Sequence, residues 1–462
     1  MKYTALFSGL VFSAAMIGGL TVDSSGQFSL APSISLAQTS APPRQPTTSR
    51  VSDRQNLSDR DSDRPIKPKT KKVQAMNKPA YEALMAAQEA IEIKDYIEAD
   101  RVLREALTIK RINEYEQASV WQTYAYLYAE TENYNGAIDA FRRSIDISDP
   151  EAGKGLPYAQ VVQTMYNLGQ LYMVVERFQD AVNMLERWRQ VAESVTSPAL
   201  ALIATAYFQL ENWDRAIPLI IEAIDISPNP REQWYQLLLA MYFEKEDYPR
   251  AGELLEVMVA LFPTVKTYWM QLAAIYGELD REKESFSVFV MAHKQGFFLE
   301  DKEFVRLARL YMFHDNPIKG ADVMTECFDK KICPRNSENL EVLANAQFNS
   351  REYQEAIGPL EEAARKSKEG KLSLRLGQAY LQSEEWKESE DAFEQALKKT
   401  GLTTVQKGEL WMLLGIAELE QKKYKQAIGS MQQATTFKKT KSDANKWIRF
   451  IQQQVEADNA AS

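Results

Sequence analysis

The chain has 462 residues, of which 45% are hydrophobic and 26% charged, and its formal net charge is -9. That balance describes a chain able to build a packed core, and it excludes the strongly charged, apolar-poor composition of a wholly disordered protein. The acidic sign, with no basic stripe, excludes a nucleic-acid duplex as partner, because phosphate neutralisation needs clustered Lys and Arg.

The first residues differ in character from the rest. Lys2 precedes an uncharged run from Tyr3 to Val22, and Ser35-Leu36-Ala37 then places small residues at the two positions a signal peptidase reads. Residues 1–37 therefore read as a secretory signal cleaved after Ala37, which predicts a periplasmic address. The alternative is an uncleaved inner-membrane anchor, since the run is about as long as a membrane span requires. No Cys follows it, which disfavours a lipid-anchored form.

Residues 38–74 are Pro, Ser, Thr, Arg and Asp with scarcely an apolar side chain. Such a segment buries too little surface to offset its ordering entropy, and it reads as a disordered linker. It ends in Lys67, Lys69, Lys71 and Lys72. This basic end offers peripheral contact with anionic lipid or peptidoglycan as one role, beside that of a plain tether.

From residue 75 to 440 one pattern recurs. Placing large, large, small and aromatic residues at positions 4, 7, 8 and 11, and a small residue at 20, brings Ala99, Ala137, Ala181, Ala216, Ala251, Ser285, Gly320, Ala356, Ser389 and Ala427 into phase. The second unit reads Trp121, Tyr124, Ala125, Tyr128, Ala137, Phe141 and Ser144; the tenth opens with Trp411, Leu414 and Gly415. This is the register of the tetratricopeptide repeat. Positions 4 to 11 make one stripe of a first helix, and 20, 24 and 27 one stripe of a second. Neither helix pair buries its stripe alone, so stacking is obligatory. The expected fold is all-α, a superhelical solenoid of about ten helical hairpins. Trp121, Trp213, Trp234, Trp269, Trp386 and Trp411 are expected to serve packing.

In such a solenoid, first-helix positions 2, 5, 9 and 12 line the inner surface. They give Gln122 and Tyr126, then Gln163, Tyr166, Gln170 and Met173, then Thr205 and Phe208, then Gln233, Gln236 and Phe243. Met270, Arg309, Met312, Asn345 and Phe348 continue the series. Amides can pair with an extended backbone, and aromatics and Met offer adaptable apolar contact. The expected partner is an uncharged segment of another cell-envelope protein.

Cys327 and Cys333 are the two cysteines. Cys327 falls at core-facing position 27 of the seventh repeat and Cys333 lies just before Pro334, where the helix must end. In an oxidising compartment they could pair as a disulfide. The two histidines, His293 and His314, stand apart without a C-x2-C, so no metal is expected. Phosphate-cradling, nucleophile-elbow, zincin and dinucleotide signatures are all missing from the sequence. The reading is of a non-enzymatic protein with no cofactor and no small-molecule substrate.

The stretch from Trp234 to Phe298, with Tyr268-Trp269 and Lys294-Gln295-Gly296, followed by Gly370 to Trp386 and Trp447 to Ile451, is more specific than the generic repeat. It resembles the periplasmic tetratricopeptide-repeat proteins associated with TonB, ExbB and ExbD. The resemblance implies an accessory to TonB-dependent transport, as in iron-complex uptake, with those components or outer-membrane receptors as partners. A second reading is a cell-envelope assembly adaptor for peptidoglycan or outer-membrane machinery. After Ala434 the rhythm stops. Residues 441–462 read as a capping helix and tail, with Trp447, Ile448 and Ile451 on the buried side.

Overall fold

A computed structural model describes residues 75–461 together with two short strands, β1 (Thr21–Val22) and β2 (Phe28–Ser29). The strands pair antiparallel, with Thr21 opposite Ser29 and Val22 opposite Phe28. The rest of the signal segment and the whole linker, residues 38–74, lie outside the described residues.

The chain divides into two compact units, with the boundary between Ala251 and Gly252. The first holds α1 (Lys78–Glu92), α2 (Tyr96–Ala106), α3 (Glu114–Glu130), α4 (Tyr134–Ile147), α5 (Tyr158–Val174), α6 (Phe178–Val191), α7 (Ser197–Gln209), α8 (Trp213–Ile226), α9 (Glu232–Glu244) and the opening of α10 (Tyr248–Leu261). The second holds the rest of α10, then α11 (Lys266–Glu278), α12 (Glu282–Lys294), α13 (Asp301–Phe313), α14 (Pro317–Asp329), α15 (Ser337–Asn349) and α16 (Tyr353–Lys366). It ends with α17 (Gly370–Gln382), α18 (Trp386–Lys398), α19 (Thr404–Glu420), α20 (Tyr424–Ala434) and α21 (Lys441–Ala461).

Within each unit an odd-numbered helix packs on the next to make a hairpin, as in α3 with α4 and α17 with α18, and the second helix then packs on the following hairpin, as in α4 on α5 and α16 on α17. The fold is an all-α solenoid of helical hairpins. Close approach of the helices is visible at the small positions. The Ser389 hydroxyl donates to the Gly377 carbonyl at 2.8 Å and Ser285 to the Ala273 carbonyl at 2.7 Å, each linking position 20 to position 8. A Cβ placed on Gly320 would stand 2.9 Å from the Ala308 carbonyl oxygen, closer than real Cβ atoms come. Position 24 fills the groove so formed, and Phe141, Leu185, Ile220, Leu360 and Phe393 there are almost wholly buried.

The turn inside each hairpin repeats as strictly as the core. Lys94, Glu132, Glu176, Glu211, Glu246, Asp280, Asp315, Arg351, Glu384 and Lys422 all have φ between 53° and 64°. Each sits at position 15. The next residue's N–H returns to the carbonyl of position 11, as in Asn133 to Tyr128 at 2.7 Å and Arg281 to Tyr276 at 2.8 Å. This is the Schellman closure of a helix C-terminus. Position 16 then starts the second helix, where the side chains of Asp95, Asn133, Asn212 and Asn316 accept from the backbone N–H three residues on.

At the C-terminal end α21 lies on α20, with Ala444 and Ile451 fully buried and Trp447 and Ile448 packed against Ala427 and Met431. Among the described residues no helix is long and apolar enough to cross a membrane.

Candidate protein-binding site

The first helices carry the residues read as an inner wall, and the two units present different chemistry. In the first unit, the Gln122 amide donates to Thr164 Oγ1 at 2.8 Å, joining α3 to α5. Asn167 Nδ2 donates to the Tyr126 hydroxyl at 3.2 Å, and Gln163 Nε2 to Asn167 Oδ1 at 2.9 Å. The result is an uncharged ladder of amides and hydroxyls across two neighbouring first helices. Gln163 on α5 and Gln233 on α9 stand exposed, while Thr205 on α7 and Gln236 on α9 are half-buried.

The aromatic rings of this wall are propped by the second helix of their own hairpin. Tyr126 meets Phe141 edge-on at 5.5 Å, Tyr166 lies 4.8 Å from Trp188, and Phe208 lies 5.2 Å from Trp213. Half-burial with one face held by a neighbour leaves the other face rigid, which lowers the ordering entropy a ligand must overcome. Burial pushes the hydroxyls of Tyr126 and Tyr166 above the usual phenol range. Both therefore stay protonated as neutral groups at physiological pH. Phe243 is half-buried in the same series.

Two of the expected wall residues are corrected by the structure. Gln170 is 9% exposed and Met173 only 2%, so neither offers surface to a partner. Helical side chains lean back over the preceding turn, and unbranched flexible ones fill whatever gap adjoins them; here both pack inward. The Trp residues read as packing groups are buried or half-buried. Trp234 is 8% exposed, the Arg143 guanidinium sits 4.4 Å over Trp121, and Trp269 Nε1 donates to the Pro263 carbonyl at 2.9 Å.

In the second unit Met270 is half-buried on α11, and beyond it the wall opens into a cleft of about 420 Å³ across α13, α15 and α17. Arg309, Met312 and Asn345 line it as the register required. Glu338, Glu341, Val342 and Lys371 line it as well. Arg309 pairs with Glu338 at 3.2 Å and Lys371 with Glu341 at 3.6 Å, each across neighbouring first helices. The nearby Glu341 charge raises the Lys371 ammonium above the usual lysine range. The expectation of an uncharged wall is thus corrected for this unit. The same register holds the missed signal, since Glu338 and Lys371 occupy position 2 and Glu341 position 5. Phe348 packs edge-on against Tyr353 at 4.9 Å, and the Arg375 guanidinium lies 3.9 Å above its ring.

Cys327 and Cys333 are joined by a disulfide with an S–S distance of 2.03 Å. Both are buried, and the N–H groups of Ile332 and Cys333 both turn back to the Cys327 carbonyl. The bond ties the end of α14 to the turn that follows. Among the described residues no group of three or more His, Cys, Asp or Glu is placed to hold a metal ion.

The tetratricopeptide-repeat family matches residues 118–150 and 374–443. These stretches cover the second hairpin of the first unit and the last hairpins of the second. With the hairpin register and packing described above, the chain is a tetratricopeptide-repeat solenoid, a fold that generally serves as a scaffold for binding proteins. No curated protein matches the sequence. Solved structures similar to it include a tetratricopeptide repeat protein from Parabacteroides merdae, at 11% identity over 74% of this chain and 99% of that one, with a TM-score of 0.34. MamA from Desulfovibrio magneticus is 19% identical over 40% of this chain and 97% of its own, with a TM-score of 0.33. YrrB, described as a TPR protein with an unusual peptide-binding site, is 13% identical over 46% of this chain and 93% of its own, with a TM-score of 0.32.

Proposed function

We propose that this protein is a non-enzymatic scaffold of the periplasm, an accessory to TonB-dependent transport that holds a protein partner against the inner faces of its first helices. The observation that carries the binding part is the ladder from Gln122 through Thr164, and from Tyr126 through Asn167 to Gln163, with rigidly propped rings beside it. An amide whose donor or acceptor is left facing water can exchange that water for the backbone of an extended segment at little cost.

The address rests on the apolar run after Lys2 and the Ser35-Leu36-Ala37 site, and a disulfide between Cys327 and Cys333 fits an oxidising compartment. The TonB connection rests on the resemblance carried by Trp234 to Phe298. The test is site-specific photo-crosslinking in the native cell from Gln163 and Gln233, followed by fractionation and mass spectrometry. The expected products join this chain to TonB, ExbB, ExbD or an outer-membrane receptor in the periplasmic or envelope fraction. Recovery of the chain from the cytosol, or the same adducts from probes at the outward Glu222, would overturn the proposal.

A further inference from the structure

A tyrosine at position 11 of a first helix reaches back to the second helix of the hairpin before it. The Tyr207 hydroxyl donates to Glu186 at 3.0 Å, Tyr276 to Glu256 at 2.5 Å and Tyr380 to Glu361 at 2.6 Å. Each acceptor stands at position 25, so one hydroxyl-to-carboxylate bond fastens hairpin to hairpin in both units. In the tenth repeat the same two positions hold Glu418 on α19 and Glu394 on α18. An ionised carboxylate accepts and cannot donate, so this junction lacks the fastening bond.

Glu418 is only 7% exposed, and its Oε2 is buried with no hydrogen-bond partner. Burial above all, with the charges of Glu390 and Glu394, pushes its carboxyl above the usual carboxylate range, against the Ser430 hydroxyl on α20 and the Lys423 ammonium. The surrounding cations are already engaged. Lys423 Nζ donates to Glu390 at 2.5 Å, where Gln421 also donates at 2.7 Å, and Lys398 lies 3.6 Å from Glu394. On α17, also packed on α19, Lys371 turns to Glu341, Arg375 to Phe348 and Tyr380 to Glu361. Protonated, Glu418 would carry the O–H that the tyrosines bring to this place, with Glu394 as the acceptor in register.

We infer that Glu418 is a proton-operated latch between the last two hairpins. At neutral pH its ionised carboxylate leaves α19 loosely held on α18, and on acidification it takes up a proton and fastens the tenth hairpin, with its cap α21, to the ninth. This goes beyond the scaffold reading and does not depend on it. A raised folded value means that the penalty is full above that value and vanishes as pH falls to the ordinary 4.5, so acid tightens this end of the solenoid.

The test is native-state hydrogen exchange of the full chain between pH 7 and 4.5, corrected for intrinsic exchange rates, on the parent, E418Q and E418Y. Gln already stands at position 11 of the eighth repeat as Gln347, and Tyr is the residue of most other repeats. Neither histidine belongs to the hairpins read, since His293 lies on α12 and His314 ends α13. Protection over α19, α20 and α21 of the parent should rise by about fivefold or more as pH falls, the lower end of what one unsatisfied buried polar atom costs. E418Q and E418Y should be better protected than the parent at pH 7 and change little with pH. A parent whose protection there does not rise would overturn the inference. An equal rise in both variants would overturn the role of Glu418. Loss of protection in both variants at every pH, with α13 unaffected, would show that the carboxylate holds the junction at all pH values, and would overturn the latch.

Discussion

The contact between Gly377 and Phe393 gives a sharp test of how the hairpins are held. A Cβ built on Gly377 would stand 2.5 Å from Cδ1 and Cε1 of Phe393. Ordinary contact begins near 3.4 Å, so Gly377→Ala requires the ring to retreat by about 1 Å. Phe393 is fully buried in a cluster with Leu374, Leu410 and Leu414, and it can retreat only by pushing that cluster apart. Overpacking of this kind costs about 1–3 kcal/mol, against a gain of about 1 kcal/mol from replacing a helical glycine by alanine. Gly358 supplies the control, because it is also helical and has nothing within 4 Å of its would-be Cβ. Gly358→Ala should therefore stabilise by about 1 kcal/mol, and the two variants should differ by about 1–3 kcal/mol. Because repeat arrays need not unfold in one step, the measurement is native-state hydrogen exchange resolved to α16, α17 and α18. Adding Phe393→Leu to Gly377→Ala should recover part of the loss, a non-additivity expected only of touching residues. Equal stabilisation by both alanines would refute the close-packed interface.

Three further outcomes follow from named contacts. The Glu362 carboxyl is lowered to about 2 by the hydrogen bonds of Arg335 and Lys366. A depressed folded value means the stabilisation is full above the ordinary value of 4.5 and is lost as pH falls from there toward 2. One fifth of that side chain is exposed, so the screened effect is about 1 kcal/mol or less. Glu362→Gln should melt below the parent at neutral pH and converge with it near pH 2, and a gap independent of pH would count against the pair. Reducing the Cys327–Cys333 bond, which closes a loop with a sequence separation of 6, should cost about 2 kcal/mol. The loss should be confined to exchange protection at the end of α14, and uniform destabilisation of the second unit would contradict it. Deleting residues 441–462 removes Ile451 from Met431 and Ala427, at about 1.5–3 kcal/mol for that side chain alone. Exchange should accelerate in α20 while α13 is unaffected, and unchanged protection of α20 would remove the capping role of α21.

Sequence alone determined the hairpins and their partners in packing. A stripe with the period of a helix is a local property, and Ala137 with Phe141, or Ser389 with Phe393, can be read as neighbours on one face without coordinates. The wall positions were legible for the same reason, including those that proved charged, since Glu338, Glu341 and Lys371 obey the register that singled out Arg309 and Asn345.

Only the tertiary structure decided the rest. The left-handed residue at position 15 of every hairpin was hidden, because the chain puts Lys, Glu, Asp or Arg there and never the glycine that would have announced it. Burial of Gln170 and Met173 depended on which way flexible side chains turned. Neutralisation of Arg309 by Glu338 and of Lys371 by Glu341 depended on residues about a full repeat away meeting one another across helices. Periodicity along one helix says which side chains share a face. The charge balance between faces is set by distances through space, which only the stacked hairpins define.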